Sequence, residues 1–146
     1  MAQYVYVDRQ EVAFSQAALL NDSIPCTKGY VIHQNGSGNL TVRGIVNNPC
    51  PNAFARYRVS FKGNIAVPTG GTVGEISFSI AVNGAPLNYT LGAVTPAAVE
   101  EFNCVCGFGY VDVFRCGYPS VTIENTSATG ESVAIRNLVV NVDRVA

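Results

Sequence analysis

Charged residues are scarce in this sequence. Of its 146 residues, 13% are Asp, Glu, Lys or Arg, against a usual share of about 25% in soluble domains. The formal net charge is −1, so there is no basic field to hold nucleic acid. Uncharged polar residues take the place of charges. A domain of this kind covers its surface with such groups or buries part of it against a partner.

Long apolar runs are missing as well. No stretch approaches the roughly 18 consecutive apolar residues that a transmembrane helix needs, so the sequence predicts no membrane partner. Residues 1–9 have neither a basic n-region nor a continuous apolar h-region, and they are not expected to form a secretory signal. The length suits one domain, and we expect a single domain over residues 1–146.

The residue types that usually carry catalysis are few. His33 is the single histidine, so a catalytic triad has one candidate imidazole. Neither a G-x-S-x-G turn nor a G-x-x-x-x-G-K-[ST] phosphate loop occurs. The adjacent acids Glu100 and Glu101 lack the apolar pocket that would raise the pKa of one of them. We therefore predict no enzyme, no catalytic residue and no cofactor; thiol chemistry with His33 is the open alternative.

The five cysteines are an odd count, which leaves at least one thiol free or bonded to another molecule. Cys26 and Cys50 each stand beside proline in predicted loops, and they are a candidate disulfide. Cys104, Cys106 and Cys116 lack the paired C-x-x-C spacing of structural zinc, so no metal site is predicted. The alternative interpretation is that the cysteines are small core residues in a reduced cytoplasm.

Alternation of apolar and polar residues dominates the chain and predicts β-strands. Residues 56–62 and 75–83 each place an apolar side chain at every second position, and Asn83-Gly84 is a strong hairpin signal. A second turn is predicted at Gly107-Phe108. Residues 95–101 alone have helical character. Eight to ten short strands with regular turns predict an all-β fold, an antiparallel jelly-roll β-sandwich.

The final strand carries the most specific signal. Val133 and Ile135 occupy odd-numbered positions, whereas Leu138, Val140 and Val142 occupy even-numbered positions, so the two sets face opposite sides of a regular strand. A change of face within one strand requires an extra residue, so we predict a β-bulge near Arg136 and Asn137. A long last strand in a central sheet position is typical of jelly rolls.

Aromatic residues supply the candidate contact surfaces. Residues 1–14 are predicted to form a docking arm that adds to a neighbour by β-augmentation, or else a strand of the domain. The glycine-rich segment 107–110 is predicted to present rings at one end of the sandwich, with a tight turn of packed rings as the alternative. The candidate interface residues are Tyr4, Tyr6, Phe108, Tyr110 and Tyr118.

Several segments resemble a known family. They are Tyr-Arg-Val-Ser-Phe at 57–61, Gly-Gly-Thr-Val at 70–73, Ile-Ala-Val-Asn-Gly-Ala-Pro-Leu at 80–87 and the last nine residues, 138–146. They are similar to the C-terminal jelly roll of collagen-like spore-surface glycoproteins, which belongs to the tumour-necrosis-factor-like class of trimeric jelly rolls. The resemblance covers residues 54–146 and implies a homotrimer.

Two further features refine this resemblance. Residues 67–101 are also similar to small proteins of Firmicutes and their phages. Residues 1–50 contain no Gly-x-y repeat, so a collagen stalk is not expected.

The functional expectation is a structural protein. The first interpretation is a phage virion subunit, a capsid decoration or other head-associated protein with the major capsid protein as partner. The alternative is a subunit of a spore-surface or other bacterial surface assembly. A carbohydrate-binding module that uses exposed tyrosines and asparagines at the loop end is the second alternative.

Overall fold

Two antiparallel sheets face each other in the computed structural model, which describes residues 2–24, 29–34, 36–47, 50 and 53–145. Sheet one has the strand order β10-β6-β12-β1-β3, with β2 also paired to β12. Sheet two has the order β4-β5-β11-β7-β8, with β9 also paired to β7. The strands are β1 (Ala2–Tyr6), β2 (Gln10–Val12), β3 (Asp22–Ile24), β4 (Val31–His33), β5 (Leu40–Val42), β6 (Phe54–Ala66), β7 (Ile76–Val82), β8 (Ala85–Pro86), β9 (Gly92–Val94), β10 (Asn103–Phe114), β11 (Ser120–Asn125) and β12 (Val133–Arg144).

This architecture confirms the predicted antiparallel jelly-roll sandwich. The described part of the chain contains 12 strands where eight to ten were expected, because several of them are only two or three residues long. Among the described residues, no helix has the length and apolarity needed to cross a membrane.

The core lies between the sheets and follows from the alternation in the sequence. Along β6, Tyr57, Val59 and Phe61 are buried while the residues between them face outward. From sheet two, Phe78 and Ile80 of β7 meet them. Each such side chain contributes about 1.5–3 kcal/mol on burial.

The final strand occupies the centre of sheet one, as predicted. β12 pairs with β6 on one side and with β1 and β2 on the other. Its register to β6 shifts between Arg136 and Val139, and Asn137 has a φ of 53°. The predicted bulge is therefore confirmed. The amide of Asn137 donates to the carbonyl of Val7 at 3.0 Å, at the point where β1 gives way to β2.

The predicted turn at Gly107-Phe108 is wrong, because β10 is continuous from Asn103 to Phe114. Gly107 faces inward, and a Cβ at this position would lie 2.1 Å from the carbonyl oxygen of Thr90. The glycine therefore permits a close approach within a strand and does not form a turn.

The helical character predicted for residues 95–101 is also absent. Pro96 is buried, and Glu100 has a φ of 57°, which a helix cannot contain. The Glu100 amide donates to the carbonyl of Val67 at 2.7 Å, so this segment is held by the loop opposite it. The one helical turn near it is a short 3₁₀ turn at Asn88–Thr90, between β8 and β9.

Candidate self-association surface

The outward residues of β10 form an exposed row on sheet one. Because strand alternation places them on the outer side of sheet one, every second residue from Cys104 to Phe114 is exposed. Their partners across the register on β6 complete the surface, which we call the β10 face. The β10 face consists of Cys104, Cys106, Phe108, Tyr110, Asp112 and Phe114 on β10 and of Phe54, Arg56 and Arg58 on β6.

Aromatic rings and guanidinium groups alternate on the β10 face. The rings of Phe54 and Phe114 meet edge to face with centroids 6.4 Å apart. Arg56 lies 5.3 Å from the centroid of Phe54, and Arg58 lies 5.3 Å from that of Phe108. Phe108 is 55% exposed and Phe114 is 62% exposed. Such an exposed cluster of aromatic and arginine side chains is characteristic of a protein contact surface.

One ion pair neutralises the carboxylate of the β10 face. Arg56 donates from Nε to Oδ1 of Asp112 at 2.7 Å and from Nη2 to Oδ2 at 3.0 Å. The hydrogen bond from Arg56 lowers the pKa of Asp112 below its ordinary value of 3.8. The two-point geometry fixes both side chains, because a guanidinium fork matches a carboxylate. The surface thus carries no unpaired acid.

A groove of about 440 Å³ overlaps this face, because Arg58, Cys106 and Phe108 line it. Its far wall is the 3₁₀ turn, which presents the exposed ring of Tyr89. Thr90 anchors that turn, because its Oγ1 accepts from the amide of Ile80 at 2.9 Å and donates to the carbonyl of Leu87 at 2.7 Å. The groove therefore has fixed walls and an apolar lining.

The edge position of β10 adds a second reason to expect a partner. In the described part of the chain, β10 pairs with β6 alone. Edge strands of soluble monomers are usually short, charged or covered. β10 has 12 residues, and Asp112 is its single charged residue, already paired with Arg56.

The predicted interface residues are spread over the molecule. Phe108 and Tyr110 lie on the β10 face, in the middle of a strand and not at the end of the sandwich. Tyr118 follows β10 in the loop 115–119 and is exposed outside this face. Sequence reasoning missed Phe54, Phe114 and Tyr89. The alternation through residues 103–114 is the signal that could have found Phe114.

Contrary to the prediction, Tyr4 does not lie at an exposed interface. Its side chain is 1% exposed and its ring centroid lies 4.9 Å from that of His33, so it belongs to the core. Tyr6 is partly buried and also packs against the core. β1 is paired with β12 on one edge and with β3 on the other. Because both edges of β1 are already paired, residues 2–6 form a strand of the domain and not a docking arm.

The loop that carries Tyr118 borders a cleft of about 400 Å³, which Arg43 and Arg115 also line. Two backbone segments meet at its floor, where the amide of Gly44 donates to the carbonyl of Gly117 at 2.7 Å. A Cβ on Gly44 would lie 2.0 Å from the carbonyl oxygen of Phe114, so this approach requires glycine.

Cys104 and Cys106 lie on β10 of sheet one, whereas His33 lies on β4 of sheet two. Cys104 and Cys106 are exposed, so the interpretation of these two as core residues is wrong. His33 Nε2 lies 2.9 Å from the carbonyl oxygen of Ser37. Among the described residues, no group of three or more His, Cys, Asp or Glu side chains is placed to hold a metal ion. The predicted pair Cys26–Cys50 lies outside the described residues, because Cys26 is not among them.

Comparison with known proteins identifies the fold. No protein-family model and no curated protein matches the sequence. Among solved structures, the globular domain of the zebrafish complement 1qA protein has a TM-score of 0.63 at 12% identity, over 99% of this chain and 96% of that one. The fold is a C1q- and TNF-like jelly roll.

Eiger, a TNF from S. frugiperda, also has a TM-score of 0.63, at 11% identity, over 100% of this chain and 92% of that one. The sugar-binding C-terminal domain of EclA has a TM-score of 0.43 at 12% identity, over 94% of this chain and 79% of that one. The first two support the TNF-like jelly roll predicted from the sequence. The third is too distant to support an argument.

Proposed function

We propose that this protein is a non-enzymatic structural subunit that works as a homotrimer, and that copies associate through the β10 face and the adjoining groove. The observation that carries the proposal is the cluster of exposed rings on this face, Phe54, Phe108, Tyr110 and Phe114. Three copies are what the resemblance to trimeric jelly rolls implies.

The composition of the β10 face favours association. Contact surfaces are enriched in aromatic residues and arginine and depleted in unpaired charge. Covering the rings of Phe108 and Phe114 recovers about 25 cal/mol for each Å² of apolar surface removed from water. The groove overlaps the β10 face at Arg58, Cys106 and Phe108 and extends beyond it to Tyr89. A contact that seats the Phe114 end of the β10 face in the groove of the next copy is heterologous, and it gives a closed ring where the rotation between copies closes and an open filament where it does not.

Light scattering after size-exclusion chromatography tests the assembly. We expect a particle of three times the chain mass of 15.5 kDa. Phe108→Asp places a charge in the centre of the proposed interface and is expected to give a folded monomer. Tyr118→Asp is the matched control, since Tyr118 is also exposed but lies off the β10 face, and it should stay trimeric. A wild-type monomer at micromolar concentration would contradict the proposal.

Within this proposal the trimer is a bacteriophage virion subunit that decorates or associates with the head, in contact with the major capsid protein. The support is the resemblance of residues 67–101 to small phage proteins and the low charge of the chain. The alternative is a spore-surface or other bacterial surface assembly. Mass spectrometry of purified particles and purified spores from the source organism separates the two. Detection in spores alone would reject the virion location.

The Tyr118 cleft favours carbohydrate binding as a second candidate function. Tyr118 is 76% exposed and stands beside Arg43 and Arg115, and a bare aromatic ring with nearby polar donors is the usual make-up of a small-ligand site. A glycan array probed with the wild-type protein and with Tyr118→Ala tests whether the Tyr118 cleft binds carbohydrate. Hits that disappear in the variant support it, and an array without hits rejects it.

A further inference from the structure

A second concave site lies on the outer surface of sheet two. Glu124 on β11 stands between Ile123 and Asn125, which are 2% and 0% exposed, and strand alternation directs it to the opposite side. Its side chain is nevertheless only 9% exposed. It lines a pocket of about 210 Å³, to which Phe14 and Pro86 also contribute.

Among the described residues, the Glu124 carboxylate has neither a hydrogen bond nor an ion pair. Two polar side chains near Glu124 on the same side of sheet two, outside the lining of the pocket, also have no partner among the described residues. Ser79 is the register partner of Glu124 on β7, and Thr122 lies two residues before Glu124 on the same side of β11. The hydroxyls of Ser79 and Thr122 are buried without a partner. Each buried group left unpaired costs about 1–3 kcal/mol, so such a cluster calls for a missing donor.

Burial also raises the pKa of the Glu124 carboxyl above its ordinary value of 4.5. This is the behaviour of a carboxyl without a counter-charge, because desolvation disfavours its ionised form. A cation in the pocket would offset that penalty, because it would pair with a carboxylate that little water reaches.

The pocket favours one kind of cation. An ammonium group has three donors, which match the Glu124 carboxylate and the polar residues Ser15 and Asn88 that also line the pocket. The ring of Phe14, 47% exposed, and the ring of Pro86 form apolar walls beside it, where methylene groups pack while the charge lies deeper. Ca²⁺ takes about six to eight oxygen ligands, and Glu124 is the single carboxylate in this pocket.

The size of the pocket sets the length of the ligand. A volume of 210 Å³ equals the share of about seven water molecules at roughly 30 Å³ each. This suffices for an ammonium group and a short alkyl chain. We propose that the Glu124 pocket binds a primary ammonium group carried on a short aliphatic chain, supplied by a free diamine or by a lysine side chain.

Calorimetric titration with cadaverine, n-butylamine and Nα-acetyl-lysine methylamide tests the proposal. We expect saturable binding to the wild-type protein and at least tenfold weaker binding to Glu124→Gln. Asn88→Ala, at a polar residue that lines the pocket, should weaken binding by less. Glu75→Gln is the control, because Glu75 is an exposed carboxylate outside the pocket, and its affinity should equal that of the wild type.

The probes also separate the two sources of the ammonium group. Preference for cadaverine identifies a free diamine, and equal binding of the lysine derivative identifies a lysine side chain. Absence of amine binding at millimolar concentration would overturn the proposal, as would equal binding by Glu124→Gln or binding of Ca²⁺ in place of amines. Light scattering on the same samples reports the trimer separately, because the Glu124 pocket lies on the other sheet from the β10 face.

Discussion

Arg56 and Asp112 are joined at two points across β6 and β10, with Nε 2.7 Å from Oδ1 and Nη2 3.0 Å from Oδ2. The same guanidinium lies over the ring of Phe54. One arginine therefore holds a carboxylate and an aromatic ring of the β10 face in fixed positions. Four predictions follow from this pair and from other contacts of the fold.

Asp112→Asn should lower the stability of the subunit by less than about 1 kcal/mol at pH 7, because both side chains are more than a third exposed and solvent screens the pair. The pKa of Asp112 is lowered in the folded state, so its contribution is complete above the unfolded value near 3.8 and disappears as the pH falls through the folded value. Thermal unfolding between pH 7 and pH 2 checks this. Parallel curves for variant and wild type would contradict it.

Cys106 should report the assembly directly. It lies on the β10 face and lines the groove, so its thiol is exposed in one subunit and covered in the proposed trimer. We expect iodoacetamide to modify Cys106 several-fold more slowly in the wild type than in Phe108→Asp, as followed by mass spectrometry. Cys116 lies off this face and should react equally in both. Equal rates of Cys106 modification in the wild type and in Phe108→Asp would contradict an interface on the β10 face.

Gly107→Ala should destabilise the subunit by about 1–3 kcal/mol, because the new methyl group meets the carbonyl oxygen of Thr90 and the ring of Phe61. Chemical denaturation measures the loss. Cys104→Ala is the control on the same strand. Its side chain points outward, so the change should stay within about 0.5 kcal/mol. A neutral Gly107→Ala would mean that the 3₁₀ turn moves freely away from β10.

Glu124→Gln should raise the thermal midpoint at pH 7 in the absence of amines. The folded pKa of Glu124 is raised, so the folded state keeps its proton where the unfolded state has lost it. Stability therefore falls as the pH rises from about 4.5 through the folded pKa. The Glu124→Gln variant does not titrate at this position, so its stability lacks this dependence on pH. The difference from wild type should vanish near pH 4, and a constant difference across pH would contradict the prediction.

The alternation of apolar and polar residues within single strands was enough to predict much of the fold. The bulge near Asn137 could be predicted because a change of buried face leaves a mark in one strand alone. Alternation also located β6 and β7, although the predicted residues 56–62 stop short of both ends of β6 at Phe54 and Ala66. The hairpin predicted at Asn83-Gly84 is confirmed by the pairing of β8 with β7, whereas β9 could not be found, since three residues carry too little pattern and depend on pairing with β7.

The candidate site was harder to predict, because its location depends on contacts between distant segments. Gly107 was interpreted as a turn residue, and only the carbonyl of Thr90 beside it explains why glycine is needed within a strand. Tyr4 was expected at an interface, but its register opposite the buried Val140 puts its ring on the core face. That β10 lies at a sheet edge cannot be deduced from its own residues.

Ala2 stands opposite Val142 in the register of β1 and β12, so the two ends of the described chain leave the molecule at the same pole. Cargo fused to either end would project from that pole and leave the opposite one unobstructed. A short linker between the ends would allow a circular permutant with new termini in the exposed loop around Gly70.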